Sequence, residues 1–296
     1  MSSDSVPFCF NVILSVSEGS ENGIMKIAIY IGTEHIRSDE RLVGLIEALD
    51  KCGCITYVVS AGEPLNEGTE LLLSVGGDGT FLSAAMKAAE CGVPVAGVNM
   101  GRMGFLSENR VEDIVDALLT GNYSIEERTM LKASVTTGEA AIDNNPYALN
   151  EVTVRRSGAA MLGVDVCVDG VLLPTYWGDG LVISTSSGST AYSLSVGGPI
   201  VLPQSKVFII SPIAPHNLNV RPLVVPDTSV ISLKMHSRDG HFEFSADNRT
   251  SEVPEGTAVE VSMAQFSLKR VRLHKSNFIQ ALTEKLYWGE DVRNIR

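Results

Sequence analysis

The chain is short of positive charge. Its 296 residues carry 23 Lys and Arg against 35 Asp and Glu, a formal net charge of −12. The basic residues do not gather into a stripe, so there is no electrostatic track for a phosphodiester backbone, and nucleic acid is not an expected partner. Long apolar runs are missing too. No stretch reaches the roughly 18–20 continuous apolar residues of a membrane-spanning helix, so no membrane partner is expected. Cysteine is sparse: Cys9, Cys52, Cys54, Cys91 and Cys167 are odd in number, scattered and without paired metal-ligand spacing. Neither a disulfide framework nor a zinc site is indicated, and a reducing, cytoplasmic setting fits best.

What remains is an ordinary folding composition, 44% hydrophobic and 20% charged. The length exceeds the roughly 100–200 residues of a typical domain, so two packed units are expected. Residues 1–24 are expected to form a poorly ordered extension. Val6 to Val16 is apolar, but no Lys or Arg precedes it and no small-residue cleavage pattern follows, so it does not read as a signal peptide. Met25 and the apolar run from Lys26 to Gly32 look like the structural start.

From 25 to 128, apolar runs alternate with amphipathic stretches: Ile27–Ile31, Arg41–Cys52, Ile55–Val59, Leu71–Val75, Phe81–Glu90 and Val93–Val98. Alternation of this kind predicts βαβ units on a parallel, Rossmann-like sheet. Val111 to Leu119 has helical spacing and stops at Gly121. From 129 to 272 the texture changes to short β-rich runs, among them Val152–Val154, Val164–Val168, Leu181–Ser184, Val207–Ile210, Val230–Met235 and Val259–Val261. Gly, Pro, Asp and Asn separate them, which predicts an all-β second domain. In the last segment, 273–296, Asn277 to Leu286 regains a helical pattern and is expected to pack back on the first domain.

The most informative short feature is Ser74-Val75-Gly76-Gly77-Asp78-Gly79-Thr80, where an apolar strand ends and a helix begins. Three glycines in four residues let backbone N–H groups approach phosphate oxygens that side chains would block. Ligands of parallel sheets also bind at such strand ends. A plain tight turn explains one Gly and a capping Asp, but not glycine on both sides of it. An acidic residue placed there can orient a hydroxyl nucleophile or take its proton, which is the logic of a hydroxyl kinase. The turn lacks the Gly-Lys-Ser/Thr of a P-loop, and G-x-G-x-x-G spacing is also absent.

Three further motifs narrow the reading. Gly97 to Leu106 is a second Gly-rich loop in which Phe105 serves either as an apolar wall for a ring or as core. Asn150-Glu151 counts for almost nothing as a bare dipeptide, though its chemistry is suitable: an amide can read an adenine edge and a carboxylate can bind ribose hydroxyls. Asp179 to Pro199 is dense in hydroxyls and glycine, yet Ile183, Tyr192 and Leu194 anchor it as no flexible linker is anchored. It reads as strand, turn and helix wrapped around a nucleotide.

The Gly-Gly-Asp turn resembles that of the superfamily joining NAD kinases, diacylglycerol and sphingosine kinases and 6-phosphofructokinases. The later motifs resemble NAD kinases over nearly the whole chain from Met25, including Ser211 to Pro222, Phe244 to Arg249 and Leu286 to Arg293. The resemblance implies ATP-dependent phosphorylation of the 2′-hydroxyl of the adenosine ribose of NAD. By the same resemblance, Asp78 is the general base or hydroxyl-orienting group, and Gly76, Gly77, Gly79 and Thr80 hold the ATP phosphates. NAD would be bound by Asp78, Gly79, Phe105, Asn150, Glu151, Asp179, Ser187, Thr190, Ala191, Tyr192, Ser193, Leu194, Ser195 and Asp247.

A divalent metal, Mg²⁺, would arrive with ATP, and no residue is assigned as its ligand. A homo-oligomer, dimer or tetramer, is also implied. A lipid kinase would share the turn, but should carry an apolar or basic membrane-facing patch. A silent NAD(H) sensor would have no use for a carboxylate beside polyphosphate.

The chain departs from the family pattern in places. Ser186-Ser187 stands where Pro-Thr is usual, which should relax the loop. Asn248-Arg249 follows Asp247 in place of Gly or Ser-Gln. His216 reads as a structural histidine or a phosphate ligand, Arg221 as a brace of the β domain, and Trp288 as a packing element that buries a large apolar face.

Overall fold

The computed structural model describes residues 24–101, 104–137, 145–286 and Trp288. The extension expected at residues 1–24 therefore lies, except for Ile24, outside the described residues, as do Arg102, Met103 and Asp291 to Arg293. The described residues up to Glu126, together with those from Lys269, form one compact unit, and the described residues of Glu127–Leu268 form another.

The first unit is built on a six-stranded sheet. Strands β1 (Lys26–Ile31), β2 (Ile55–Val59), β3 (Leu71–Val75) and β4 (Val95–Val98) are mutually parallel and lie in the order β2-β1-β3-β4. Every residue of β3 and β4 is buried. That explains why these strands read as continuous apolar runs rather than alternating ones. Helix α1 (Glu40–Lys51) is capped by Asp39, whose carboxylate accepts the Arg41 N–H. Helix α2 (Asp78–Cys91) stops at Gly92 (φ +67°) and α3 (Val111–Thr120) at Gly121 (φ +70°). Both stops use the left-handed conformation that glycine adopts at little cost.

Two strands of this sheet were not foreseen. The strand Leu268–Leu273 lies parallel beside β4, and Tyr123–Arg128 (β5) follows it at the edge. Leu268–Leu273 has Lys or Arg at three of its six positions, and nothing in a one-dimensional pattern reveals that a chain returns to its first sheet after a whole intervening unit. The C-terminal helix Phe278–Leu286 follows, its first turn held by Asn277 Oδ1, which accepts the Ile279 N–H at 2.9 Å. Leu282 is its buried residue. The expected burial of Trp288 is corrected: it is 56% exposed, because it lies past the end of this helix rather than on its inward stripe.

The second unit is two antiparallel sheets. One, of seven strands, runs Val171–Leu172, Leu162–Val168, Ile231–His236, Ala258–Met263, Leu131–Thr137, Tyr147–Ala148, with Tyr176–Gly178 also paired to Leu162–Val168. The other runs Leu223–Pro226, Val207–Ile213, Gly180–Thr185, Glu151–Arg156, His241–Ala246, Arg249–Pro254. Alternate residues point inward, as in Ile231–His236, and a single core drawn from both sheets includes Phe208, Phe242 and Phe244. Inward Val, Ile, Leu and Phe at every second position make this a sandwich.

Candidate functional site

The glycines of the first turn divide by what the fold requires of them. Gly76 has φ +151°, and a Cβ there would lie 2.5 Å from Thr80 Oγ1. A Cβ on Gly32 would lie 2.0 Å from the same oxygen, so the Thr80 side chain is seated between two bare backbones. Gly77, the residue before α2, has φ −92°, and a Cβ on it would meet nothing within 4 Å. Gly79 is equally open. Neither is demanded by internal packing. Both are exposed at the start of a 14-residue helix, where the first N–H groups have no intrahelical acceptor. A turn left open on this side suits an anion seated on those amides.

Asp78 is the first residue of that helix. Its Oδ2 accepts the Phe105 N–H at 2.9 Å, and Oδ1 accepts the N–H groups of Leu106 at 3.1 Å and Ser107 at 2.8 Å. The second Gly-rich loop is thus wrapped over the carboxylate. Its glycines serve that approach: a Cβ on Gly104 would fall 1.9 Å from Asp78 Oδ1, and one on Gly97 would fall 2.6 Å from the Leu106 carbonyl. A carboxylate offers about four acceptor positions, so one remains on Oδ2.

The carbonyls of the same loop face cations that local sequence patterns do not flag. Arg270 donates to the carbonyls of Phe105 (3.3 Å) and Leu106 (3.2 Å) and pairs with Glu108 at 2.9 Å. Lys285, on the C-terminal helix, donates to the Gly104 carbonyl, and its ammonium sits 4.6 Å from the Phe105 ring centroid. Burial lowers the Lys285 pKa, while Glu108 and Asp78 act in the opposite sense. Phe105 is half-buried and also lies 6.1 Å from Phe278, ring to ring. The ring is held by the C-terminal helix rather than sunk in the core.

In the second unit a carboxylate again gathers three amides. Asp247 opens the two-residue turn between His241–Ala246 and Arg249–Pro254, and it adopts φ +51°, a left-handed conformation that Asp tolerates better than most residues. Its carboxylate accepts the N–H groups of Leu149 (2.8 Å), Asn150 (2.8 Å) and Glu151 (3.2 Å). Thr185 takes the carbonyls of the same segment, through Oγ1 to Leu149 (2.6 Å) and through its N–H to Asn150 (2.9 Å). Asn150-Glu151 is pinned from both sides. Asp247 is therefore placed as a holder of the pair, and Arg249 braces the strand behind it by donating to the Tyr147 carbonyl.

The pinned pair presents polar atoms. Asn150 Oδ1 and Glu151 Oε2 are buried without a hydrogen-bond partner. Burial, and after it the Asp247 charge, lifts the Glu151 carboxyl from 4.5 to about 8, against one backbone N–H from Tyr192. Burial raises the Asp247 pKa too, but three amides oppose it there. Of the two neighbours, Asp247 is the better placed to carry the charge and Glu151 the proton. Near neutral pH, Glu151 is then a hydrogen-bond donor as well as an acceptor.

The Ser-rich segment folds as strand Gly180–Thr185, 3₁₀ turn Ser187–Thr190 and short helix Tyr192–Ser195. Its hydroxyls fall into two groups. Ser186, Ser189 and Ser193 are buried and committed within the fold: Ser186 Oγ donates to the Pro203 carbonyl (3.0 Å), Ser189 Oγ to Ser186 (2.8 Å), and Ser193 Oγ meets Ser211 Oγ (3.2 Å). Ser187, Thr190, Ala191, Tyr192 and Leu194 are half-buried, and Ser195 is exposed. Gly188 is required, since a Cβ on it would lie 2.1 Å from the Asn150 carbonyl oxygen. Ser186 has φ −58°, within the range proline imposes, so its buried hydrogen bond supplies the restriction that Pro would have given.

Asp179 and Tyr192 share a cleft of about 360 Å³ with Arg155, Arg156, Gly158 and Ile213. Arg156 Nε donates to Asp179 Oδ1 at 2.7 Å, and Arg155 pairs with Glu243. Arg156 was missed in the sequence because a lone arginine ending a strand has no distinguishing pattern. His216 and Arg221 stand elsewhere: His216 is exposed with its N–H on the Trp177 carbonyl, and Arg221 braces its own loop through the carbonyls of Leu218 and Val220.

The chain matches the family models of the ATP-NAD kinase N-terminal domain over residues 30–123 and the ATP-NAD kinase C-terminal domain over residues 149–273. It is 39% identical over 239 residues to an NAD kinase of Flavobacterium psychrophilum, covering 79% of this chain and 81% of the relative. It is 35% identical over 291 residues to an NAD kinase of Bacteroides fragilis, covering 91% of this chain and 100% of the relative. Among solved structures, an Archaeoglobus fulgidus NAD kinase in complex with ATP superposes with TM-score 0.73 at 26% identity, over 89% of this chain and 99% of that one. Yeast NADH kinase complexed with NADH shares the fold, with TM-score 0.80 at 22% identity over 92% and 90% of the two chains.

Two outcomes follow from the Asp247 clamp. Asp247→Gly relieves the left-handed backbone but strands three amides, each worth about 1–3 kcal/mol when buried and unmet. Thermal denaturation should therefore show Asp247→Gly well below wild type and Asp247→Asn between them. Between pH 4.5 and about 8 the folded chain holds a proton on Glu151 that the unfolded chain has released, so this group makes stability fall as pH rises. Glu151→Gln should flatten that slope in denaturant titrations run across the window, and an unchanged slope would place the proton elsewhere.

Proposed function

The chain belongs to the ATP-NAD kinase family, and from that premise we propose that it transfers the γ-phosphoryl group of ATP to the 2′-hydroxyl of the adenosine ribose of NAD, giving NADP and ADP. The observation that carries the reading is the Asp78 carboxylate, fixed by three amides with one acceptor position remaining, in a turn whose Gly77 and Gly79 are open. That position accepts the 2′-hydroxyl and orients it, or takes its proton, as the new O–P bond forms and the bond to the leaving ADP breaks. The Gly76, Gly77, Gly79 and Thr80 backbone holds the ATP phosphates. Positioning and charge neutralisation are most of what phosphoryl transfer requires.

On the dinucleotide side, the reading assigns Asn150 and Glu151 to the adenosine half through their uncommitted polar atoms. Asp179, Ser187, Thr190, Ala191, Tyr192, Leu194 and Ser195 line the remainder, while Ser193 and Asp247 act by holding the others in place. Phe105 supplies an apolar surface beside the turn. Among the described residues no three His, Cys, Asp or Glu side chains gather as a cation site. The turn's donors are amides and a hydroxyl, which suit phosphate oxygens rather than a metal. In this reading Mg²⁺ would arrive with ATP and would supply charge neutralisation at the phosphates.

The reading also includes a cytoplasmic location, supported by the unbridged thiols of Cys54, Cys91 and Cys167. It includes a homo-oligomer, supported by exposed apolar side chains on the edge strands Val171–Leu172 and Leu223–Pro226. No described helix is long and apolar enough to cross a membrane.

Purified protein given NAD, ATP and Mg²⁺ should generate a product that a dehydrogenase specific for NADP can use. No signal with NAD, combined with phosphorylation of a lipid, would overturn the assignment. Asp78→Asn should cut turnover by at least about 10²-fold while calorimetric NAD affinity stays near wild type. Near-normal turnover would remove Asp78 from the chemistry.

A further inference from the structure

Three amides on Asp78 fix its carboxylate only as well as the loop that donates them is itself fixed. Phe105, Leu106 and Ser107 turn their N–H groups to Asp78. The carbonyls of Gly104, Phe105 and Leu106 go to two side chains that arrive about 165 to 180 residues later in the chain. Arg270 is buried in the strand Leu268–Leu273, with side-chain exposure of 7%, and its partner Glu108, the next residue of the loop, is at 14%. An ion pair so far from solvent is costly to bury, and a hydrophobic pair of the same volume is often no less stable. Stability alone does not account for such a pair, and the two carbonyls that Arg270 also bonds supply another reason for it.

We propose that Arg270, with Glu108, and Lys285 are positioning residues for phosphoryl transfer: they staple the carbonyl face of the 104–108 loop so that its amide face holds Asp78 at a fixed angle. The inference rests on the reading of Asp78 given above. Lys285 adds a second attachment, since its ammonium lies over Phe105 while it bonds Gly104. The C-terminal helix thereby fixes the loop at its glycine hinge, where a Cβ would collide with the carboxylate. None of the three side chains needs to touch ATP or NAD.

The test separates folding, loop order and turnover. Arg270→Met alone removes the ion-pair partner of the largely buried Glu108 and is expected to lower the melting temperature. The double variant Arg270→Met, Glu108→Gln removes both charges and should recover most of it. In that folded double variant, hydrogen exchange of the 105–107 amides should accelerate at least about tenfold. The same variant should lose kcat by about 10–100-fold with KM for NAD and ATP within about two-fold of wild type, the split expected when only the transition state loses an interaction. Lys285→Met should lower kcat in the same way, and Lys285→Arg, which keeps a cation over the ring, should restore it.

Wild-type exchange in the double variant, fast exchange with wild-type kcat, or a loss confined to KM would each overturn the staple. Asp78→Asn assayed alongside keeps the two readings apart. Full activity there removes the role of Asp78 itself. Low activity there, with wild-type kcat in the double variant, removes only the staple.

Discussion

Backbone amides that leave a strand end and double back must be satisfied somewhere, and in the first unit they are satisfied by one carboxylate. Asp78 accepts three of them, and nearly everything else around the turn follows from that arrangement. Gly104 must be bare because the carboxylate stands where its Cβ would be, and Gly97 must be bare because the returning loop presses on the strand end. Gly76 must be bare to admit Thr80. Once these three are explained by packing, Gly77 and Gly79 remain as glycines with no internal cause. An unexplained glycine beside a helix N-terminus is a stronger pointer to a ligand than one that already has structural work.

The second unit repeats the device on a different scaffold. Asp247 sits in a hairpin turn rather than a helix, yet it too accepts three successive amides, and Thr185 plays toward the carbonyls the part that Arg270 and Lys285 play in the first unit. A segment held by both its N–H and C=O groups has little freedom left. The side chains it carries are thereby presented in one direction. For Asn150 and Glu151 this means polar atoms kept buried and unmatched by the protein itself, an arrangement that costs stability and is expected where a ligand completes it.

How much of this was legible in the sequence varied with distance along the chain. The parallel core of the first unit and the short-strand texture of the second were legible, because burial on both faces and alternation leave periodic traces. The turn at Gly76–Thr80 and the segment Asp179–Pro199 were legible because glycine and hydroxyl density is local. Arg270, Lys285 and Arg156 were not. Each acts on a partner distant in sequence or ends an unremarkable strand, and an arginine in Leu268–Leu273 looks like any solvated strand residue until its carbonyl partners are seen. The position of Asp247 was legible, but its left-handed turn and its hold on three amides were not. Ser186 likewise read as a loosened proline site, whereas its φ and buried hydroxyl restore the constraint by other means.

The two carboxylates differ in one respect that bears on their chemistry. Asp78 opens a 14-residue helix, whose N-terminal end favours negative charge, and its neighbours Lys285 and Arg270 are cationic. Asp247 has no helix behind it and has Glu151 beside it, so its charge is stabilised by three amides and by Arg249 and is opposed by a second carboxyl. The same three-amide cradle therefore yields two different instruments. At Asp78 it leaves one acceptor position on Oδ2, the position that the proposed reading gives to the substrate hydroxyl. At Asp247 it absorbs the charge and passes the proton to Glu151, which can then donate to a ligand as a carboxylate could not. The cradles are alike and their surroundings are not: a helix N-terminus and the charge of Lys285 at one, a second carboxyl at the other.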